Sequence, residues 1–313
     1  MSRPMLQPAD FATSVVAVPP IALTKDYHVS EPENRALVRH IENGGVTILL
    51  YGGNANLYHF GLERYADALA MMTAAASEKT RIITSLGPDF GKMLDQAPLV
   101  ERSGLRNVML LPTAFPADSN GVANGARRIA DRLGFGVILY LKRDAYVAPD
   151  TLGSLVADGT VRFIKYAVER QDPATDAYLD AVIAAVGLAN IASGMGETPI
   201  ADHIGARKLP TFTSGAICIA PAAAMRLLAL YKAGRHDEAL ALSQPFLEFE
   251  RVRSRIGGLQ VLHDAVTVSG IADMGPLMPM VSNVPAASLP AVRAVMEGLL
   301  QAESLATSAA VPA

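Results

Sequence analysis

The chain of 313 residues is 50% hydrophobic, enough to bury a large core either as two ordinary domains or as one α/β barrel. Its formal net charge of −3 and isoelectric point near 6.1 leave no basic face to displace phosphate counterions. That argues against nucleic-acid binding and leaves small neutral or anionic substrates open.

The single cysteine, Cys218, excludes an internal disulfide framework and suits a reducing compartment, where it reads as a small buried hydrophobe. The first sixteen residues, MSRPMLQPADFATSVV, hold no continuous apolar run before their prolines and aspartate. No secretory signal is expected, and the reading is cytoplasmic.

Short apolar runs then recur at 15–18, 46–50, 81–85, 107–111, 137–140, 161–165, 190–193 and 211–214, each followed by a helical pattern. Intervals of roughly 25 to 35 residues match βα units, and eight such units close a (β/α)8 TIM barrel. An open doubly wound sheet is the weaker rival, because no glycine fingerprint follows the first strand.

Ser30-Glu31-Pro32-Glu33 before Leu37, Val38 and Ile41 reads as a capped helix start, and Gly44-Gly45 as its stop. Leu, Ala and Met at helical spacing fill 62–77, and a second pattern over 122–133 keeps Arg127, Arg128 and Arg132 outside. Pro149-Asp150 opens another helix, and Pro221 starts one that Gly234 ends. The barrel is thus expected over 1–234.

An extension over 235–313 follows, with helices near 237–256, 258–268 and 289–305 packed on the barrel or on another subunit. Their apolar faces point to a homo-oligomer, a tetramer or dimer. The uncharged stretch 274–292 contains Pro276, Pro279, Pro285 and Pro290, so it reads as a packed loop and not as a membrane span.

Chemistry concentrates in the β-α-β unit of residues 137–165, because its two strands must be parallel neighbours. Tyr140 and Lys165 then lie at the same carboxyl end, where a barrel places its active site. A desolvated lysine can attack a carbonyl carbon and a neighbouring phenol can move protons. The bland alternative is a strand-end lysine in solvent or paired with Glu169, and a tyrosine that merely caps the core.

Gly52 and Gly53 let backbone approach a ligand, and Asn54 and Asn56 offer amides, although a turn needing glycine's freedom explains the pair equally well. Lys142 and Arg143 suit a distal carboxylate. The loops Gly194-Met195-Gly196 and Thr213-Ser214-Gly215 occupy the usual barrel phosphate position. His59, His203, His236 and His263 stand isolated, so no metal site is expected.

At these residues the chain resembles the dihydrodipicolinate synthase and N-acetylneuraminate lyase family. The resemblance rests on Tyr140, on Phe163-Ile164-Lys165, on GMGETP at 194–199, and on FTSG at 212–215 before Ala220-Pro221. It implies a barrel with a helical extension, usually tetrameric, that binds a small-molecule 2-keto acid as an imine on Lys165 with Tyr140 as proton carrier. It also implies no nucleic acid, no membrane and no cofactor.

Two departures shape the substrate expectation. Gly52-Gly53-Asn54-Ala55-Asn56 lacks the hydroxyls usual after the second strand, and Thr113-Ala114 replaces a tyrosine pair after the fourth. The run YLKRDAYVAPDTL looks instead like that of the family's keto-deoxy-sugar-acid dehydratases. The expected function is a Schiff-base lyase on a 2-keto acid or keto-deoxy sugar acid, with Gly52, Gly53, Asn54, Arg143, Thr213 and Ser214 binding substrate. Alternatives are a catalytically weak barrel that binds a small acid, and an aldolase for a phosphorylated sugar.

Overall fold

Each of the eight apolar runs forms a strand in the computed structural model, which describes residues 3–53 and 56–309. The strands are β1 (Val16–Ala17), β2 (Ile48–Leu50), β3 (Arg81–Leu86), β4 (Val108–Leu110), β5 (Val137–Leu141), β6 (Val161–Tyr166), β7 (Ile191–Ser193) and β8 (Thr211–Ser214). They pair in parallel in sequence order, and β8 returns to β1 to close the barrel. A parallel strand is covered on both faces, which is why these segments read as continuous apolar runs.

Alternate residues point inward, and Val16, Ile48, Leu50, Ile83, Met109, Ile138 and Phe163 fill the barrel interior. The amino-terminal end is closed by a short helix that the sequence pattern does not reveal, α1 (Pro8–Thr13). Phe11 from α1 stands edge-on to Phe163 with ring centroids 4.8 Å apart. Leu6, just before it, is fully buried. Asn107 accepts from the Leu6 backbone N–H at 2.7 Å, and Arg162 donates to the Leu6 carbonyl at 2.6 Å.

The crossover helices are α2 (Glu31–Asn43), α3 (Leu62–Ala75), α4 (Phe90–Ser103), α5 (Ser119–Leu133), α6 (Pro149–Ala157) and α7 (Ala177–Val186), and α8 (Pro221–Lys232) follows the last strand. Ser30 stands at the start of α2 as expected, but its side chain makes no capping bond. Asn34 holds that turn instead, donating to the carbonyls of Ser30 at 2.7 Å and Ala22 at 2.9 Å. Helix α5 begins before the predicted residue 122 because Asp118 caps it, accepting from the Gly121 N–H at 2.9 Å. A π-helical turn over Ala201–Ala206 follows β7.

The last three helices are α9 (His236–Ile256), α10 (Gly258–Val268) and α11 (Leu289–Ala309). Helix α9 packs on α8, α10 and α11, burying Phe246, Phe249, Val261, Val266, Val292 and Leu299. Much of the apolar surface that pointed to a partner subunit is therefore covered within the chain. Gly257, at φ +152°, breaks α9 from α10, and a Cβ there would fall 2.3 Å from Gln260 Oε1. The proline-rich stretch is a packed loop: Met274, Leu277 and Val284 are buried, and Asp264 accepts from Asn283 and from the Val284 N–H, each at 2.6 Å. Among the described residues no helix is long and apolar enough to cross a membrane.

Candidate active site

Strands β5 and β6 pair with a bulge, a shift of one residue between Val137 and Ile138. Val137 faces Val161, whereas Ile138 faces Phe163, so Arg162 is the extra residue. Beyond the bulge Tyr140 is the direct partner of Lys165, and both side chains point into the barrel mouth. Gly136 is required beneath it, because a Cβ there would lie 2.2 Å from the Gly159 carbonyl oxygen and 2.8 Å from Arg162 Cγ.

The Lys165 Nζ sits 4.4 Å from the centroid of the Tyr140 ring. Lys165 is only 4% exposed, and it has no hydrogen bond or ion pair among the described residues. Glu169 lines the same cavity without bridging to it, so the bland reading of a paired lysine does not hold. Burial, then the charges of Lys142 and Arg253, bring the Lys165 amine down from 10.5 to about 7. Near neutrality a substantial part of it is then free base. Burial, and then the phenol of Tyr58, push the Tyr140 phenol well above its ordinary value, so it keeps its proton.

The cavity around them measures about 250 Å³. Gly53, at φ +65°, closes over the amine: a Cβ there would lie 3.1 Å from Lys165 Nζ and 3.4 Å from the Tyr140 ring. Gly52, at φ +133°, is needed for packing, since its Cβ would meet Ser85 Oγ at 2.2 Å. Asn54 lies outside the described residues. Asn56 is engaged elsewhere, accepting from the Ile21 N–H at 2.8 Å and donating to the Ile21 carbonyl at 3.0 Å. It ties the loop to the barrel and lines a neighbouring cavity and not that of Lys165.

Thr213 and Ser214 both line the cavity. Thr213 Oγ1 is buried without a partner, while Ser214 donates to Glu197 Oε2 at 2.8 Å. Burial and the Glu250 carboxylate raise the Glu197 carboxyl above the usual range, and its other oxygen, Oε1, also lacks a partner. A Cβ on Gly196 would meet the Glu250 carboxyl at 3.1 Å. Two acidic side chains, one of them paired with Arg253, therefore stand beside the loops where a phosphate was considered.

Arg143 is placed differently from the sequence expectation. Its guanidinium lies 5.1 Å from the Tyr146 ring centroid and donates to the Ala117 carbonyl at 3.1 Å, so it does not line the Lys165 cavity. Lys142 does, and it also borders a second cavity of about 330 Å³ with Asn56, Tyr58, His59 and Met278. Thr113 is turned toward α4 and α5, donating to the Pro88 carbonyl at 2.6 Å. His203 is not isolated: its Nδ1 is 2.8 Å from Ser193 Oγ. That pair lies outside the cavity, and burial, with Arg207 nearby, lowers the imidazole to about 4.

The sequence reading misses the contribution of the extension. Glu250, Arg253 and Ser254 from α9, with Gly258 and Leu262 from α10, form one wall of the Lys165 cavity. In sequence, Glu250 and Arg253 read as an ordinary exposed i,i+3 pair, with no signal marking them as interior. Glu197 stood inside the GMGETP run without an assigned role. Among the described residues no cluster of ligating side chains suits a metal ion.

No family model matches the chain. A curated relative, the probable 5-dehydro-4-deoxyglucarate dehydratase of Chelativorans sp. (strain BNC1), is 26% identical over 220 residues, covering 67% of this chain and 70% of that protein. Dihydrodipicolinate synthase from Oceanobacillus iheyensis superposes with a TM-score of 0.79 at 19% identity, over 95% of this chain and 98% of its own. The Ruminococcus gnavus sialic acid aldolase gives 0.80 at 14% identity, over 94% and 99%. The chain has the fold of the dihydrodipicolinate synthase and N-acetylneuraminate lyase family, the family its sequence resembles.

Proposed function

We propose that this protein is a lyase that works without a cofactor and forms an imine between Lys165 and a 2-keto acid or keto-deoxy sugar acid. The observation that carries the reading is the unpaired, buried Lys165 amine, held near neutrality beside Tyr140 in direct register. The free amine adds to the ketone carbon, the carbonyl oxygen takes a proton, and loss of water leaves a protonated imine. That imine accepts the electron pair released when a neighbouring proton departs or a carbon–carbon bond breaks. Tyr140, still protonated, supplies and recovers the proton at the reacting oxygen.

The similarity to a dehydratase supports water loss as the reaction, with carbon–carbon cleavage as the other branch of the same intermediate. Gly53 packs over the amine and orients it. Thr213 and Ser214 face the bound acid, whereas Arg143 is left out of the substrate set. A homo-oligomer is part of this reading, supported by Phe115 and Phe90, which remain 88% and 42% exposed beside an apolar groove between α4 and α5. Sedimentation of the purified chain tests it.

The test of the chemistry is borohydride reduction in the presence of pyruvate, longer 2-keto acids and keto-deoxy sugar acids, followed by intact mass and peptide mapping. One reduced adduct on Lys165 is expected, absent in Lys165→Ala. Undiminished adduct or turnover in that variant would sink the assignment. A folded wild-type chain that binds a keto acid but gives no adduct would make it a binding protein.

A further inference from the structure

The imine reading requires a carboxylate anchor close to Lys165, because the carboxylate of a 2-keto acid is bonded directly to the carbon that the amine attacks. The turn after β2 offers no side-chain hydroxyl there: Gly53 has no side chain, and Asn56 is committed to Ile21. Thr213 and Arg253 line the same cavity. Thr213 Oγ1 is buried and unpartnered, and Arg253 is a cation only 5% exposed.

Arg253 comes from the last turn of α9, just before the Gly257 break. Its Nε donates to the Gly258 carbonyl at 3.0 Å and its Nη1 to Glu250 Oε1, which fixes the plane of the guanidinium. Its Nη2 has no protein partner among the described residues, and Arg253 and Thr213 both line the cavity. A guanidinium held by two of its nitrogens, in a side chain that lines a small cavity, is prepared for a carboxylate, the anion its geometry matches. Lys142 is the other cation lining the cavity, and it is exposed at the rim.

We propose that Arg253, with the hydroxyl of Thr213, binds the carboxylate of the imine-forming substrate, so that the C-terminal extension takes part in selecting 2-keto acids over uncharged carbonyl compounds. This rests on the imine reading. Arg253 is a positioning and specificity residue: it holds the anion while Lys165 does the chemistry.

The experiment measures borohydride-trapped adduct against concentration for pyruvate and for its uncharged methyl ester, in wild type, Arg253→Met, Arg253→Lys and Thr213→Val. For Arg253→Met the half-saturating pyruvate concentration should rise on the order of 10²-fold while the ester curve stays near wild type, the scale expected when a charged polar contact is lost. Arg253→Lys keeps the charge but loses the fork and should fall between, and Thr213→Val should raise the pyruvate value roughly tenfold.

Unchanged pyruvate dependence in folded Arg253→Met and Arg253→Lys, or equal loss for acid and ester, would overturn the proposal, since a purely structural role would not distinguish them. Should wild type trap neither compound, the imine reading fails. Calorimetric titration with pyruvate then decides the carboxylate site separately: binding that weakens in Arg253→Lys sustains it, and binding indifferent to both variants removes it.

Discussion

The two ends of the barrel are made by the same eight strands, yet they handle polar groups in opposite ways. At the amino-terminal end Phe11 and Leu6 close the interior, and the polar groups around them are paired: Asn107 with Leu6 and Pro4, Arg162 with the Leu6 carbonyl, Arg81 with Asp10. At the carboxyl end Lys165 and Thr213 are buried without partners, and Glu197 keeps one oxygen unpaired. A buried polar group left unpaired costs about 1 to 3 kcal/mol. The contrast therefore separates an end closed for stability from an end that carries a stability cost, which on the proposed function a bound substrate would relieve.

Substitutions at each end should sharpen that contrast, beginning with the largest effect. Tyr140→Phe removes the proposed proton carrier and should slow adduct formation by about 10² to 10⁴-fold while leaving the denaturant midpoint close to wild type. A large stability loss with unchanged chemistry would reverse the assignment of that end. Phe11→Ala should do the opposite. Emptying the plug against Phe163 should cost about 3 to 5 kcal/mol in urea unfolding, with trapping per folded molecule unchanged.

Gly53→Ala lies between these two. Its backbone is left-handed and its new Cβ would press on Lys165 Nζ, so imine formation should fall by roughly 10 to 10²-fold, read from single-turnover trapping. A wild-type rate would show that the turn after β2 does not constrain the amine.

The same end should also show itself in pH dependence. Lys165 titrates near 7 when folded against 10.5 ordinarily, so between those values the unfolded chain binds a proton that the folded chain lacks. Stability should then rise with pH across that window, its cost being constant below about pH 7. Lys165→Met should flatten the slope, and adduct formation in wild type should climb through pH 7 and level above it. An identical slope in Lys165→Met would mean that the amine is not desolvated.

Periodicity and spacing alone determined the eight βα units, the three helices that follow them, and the placement of Tyr140 and Lys165 at one end of adjacent strands. Those features depend on local hydrophobic pattern and on the rule that parallel neighbours need a crossover, both written in contiguous residues. Contacts distant in sequence decided the rest.

Whether Tyr140 faces Lys165 or Ile164 turns on the bulge at Arg162. A shift of one residue moves a side chain to the other face of a strand. The strand pattern is the same with or without that bulge, so only the packed sheet sets it. Likewise Arg143, three residues from Tyr140, turns out toward Tyr146, while Arg253, 88 residues beyond Lys165, turns in. The charge of an arginine is legible in the sequence. Which cavity it enters depends on how α9 breaks at Gly257 and folds across the barrel mouth.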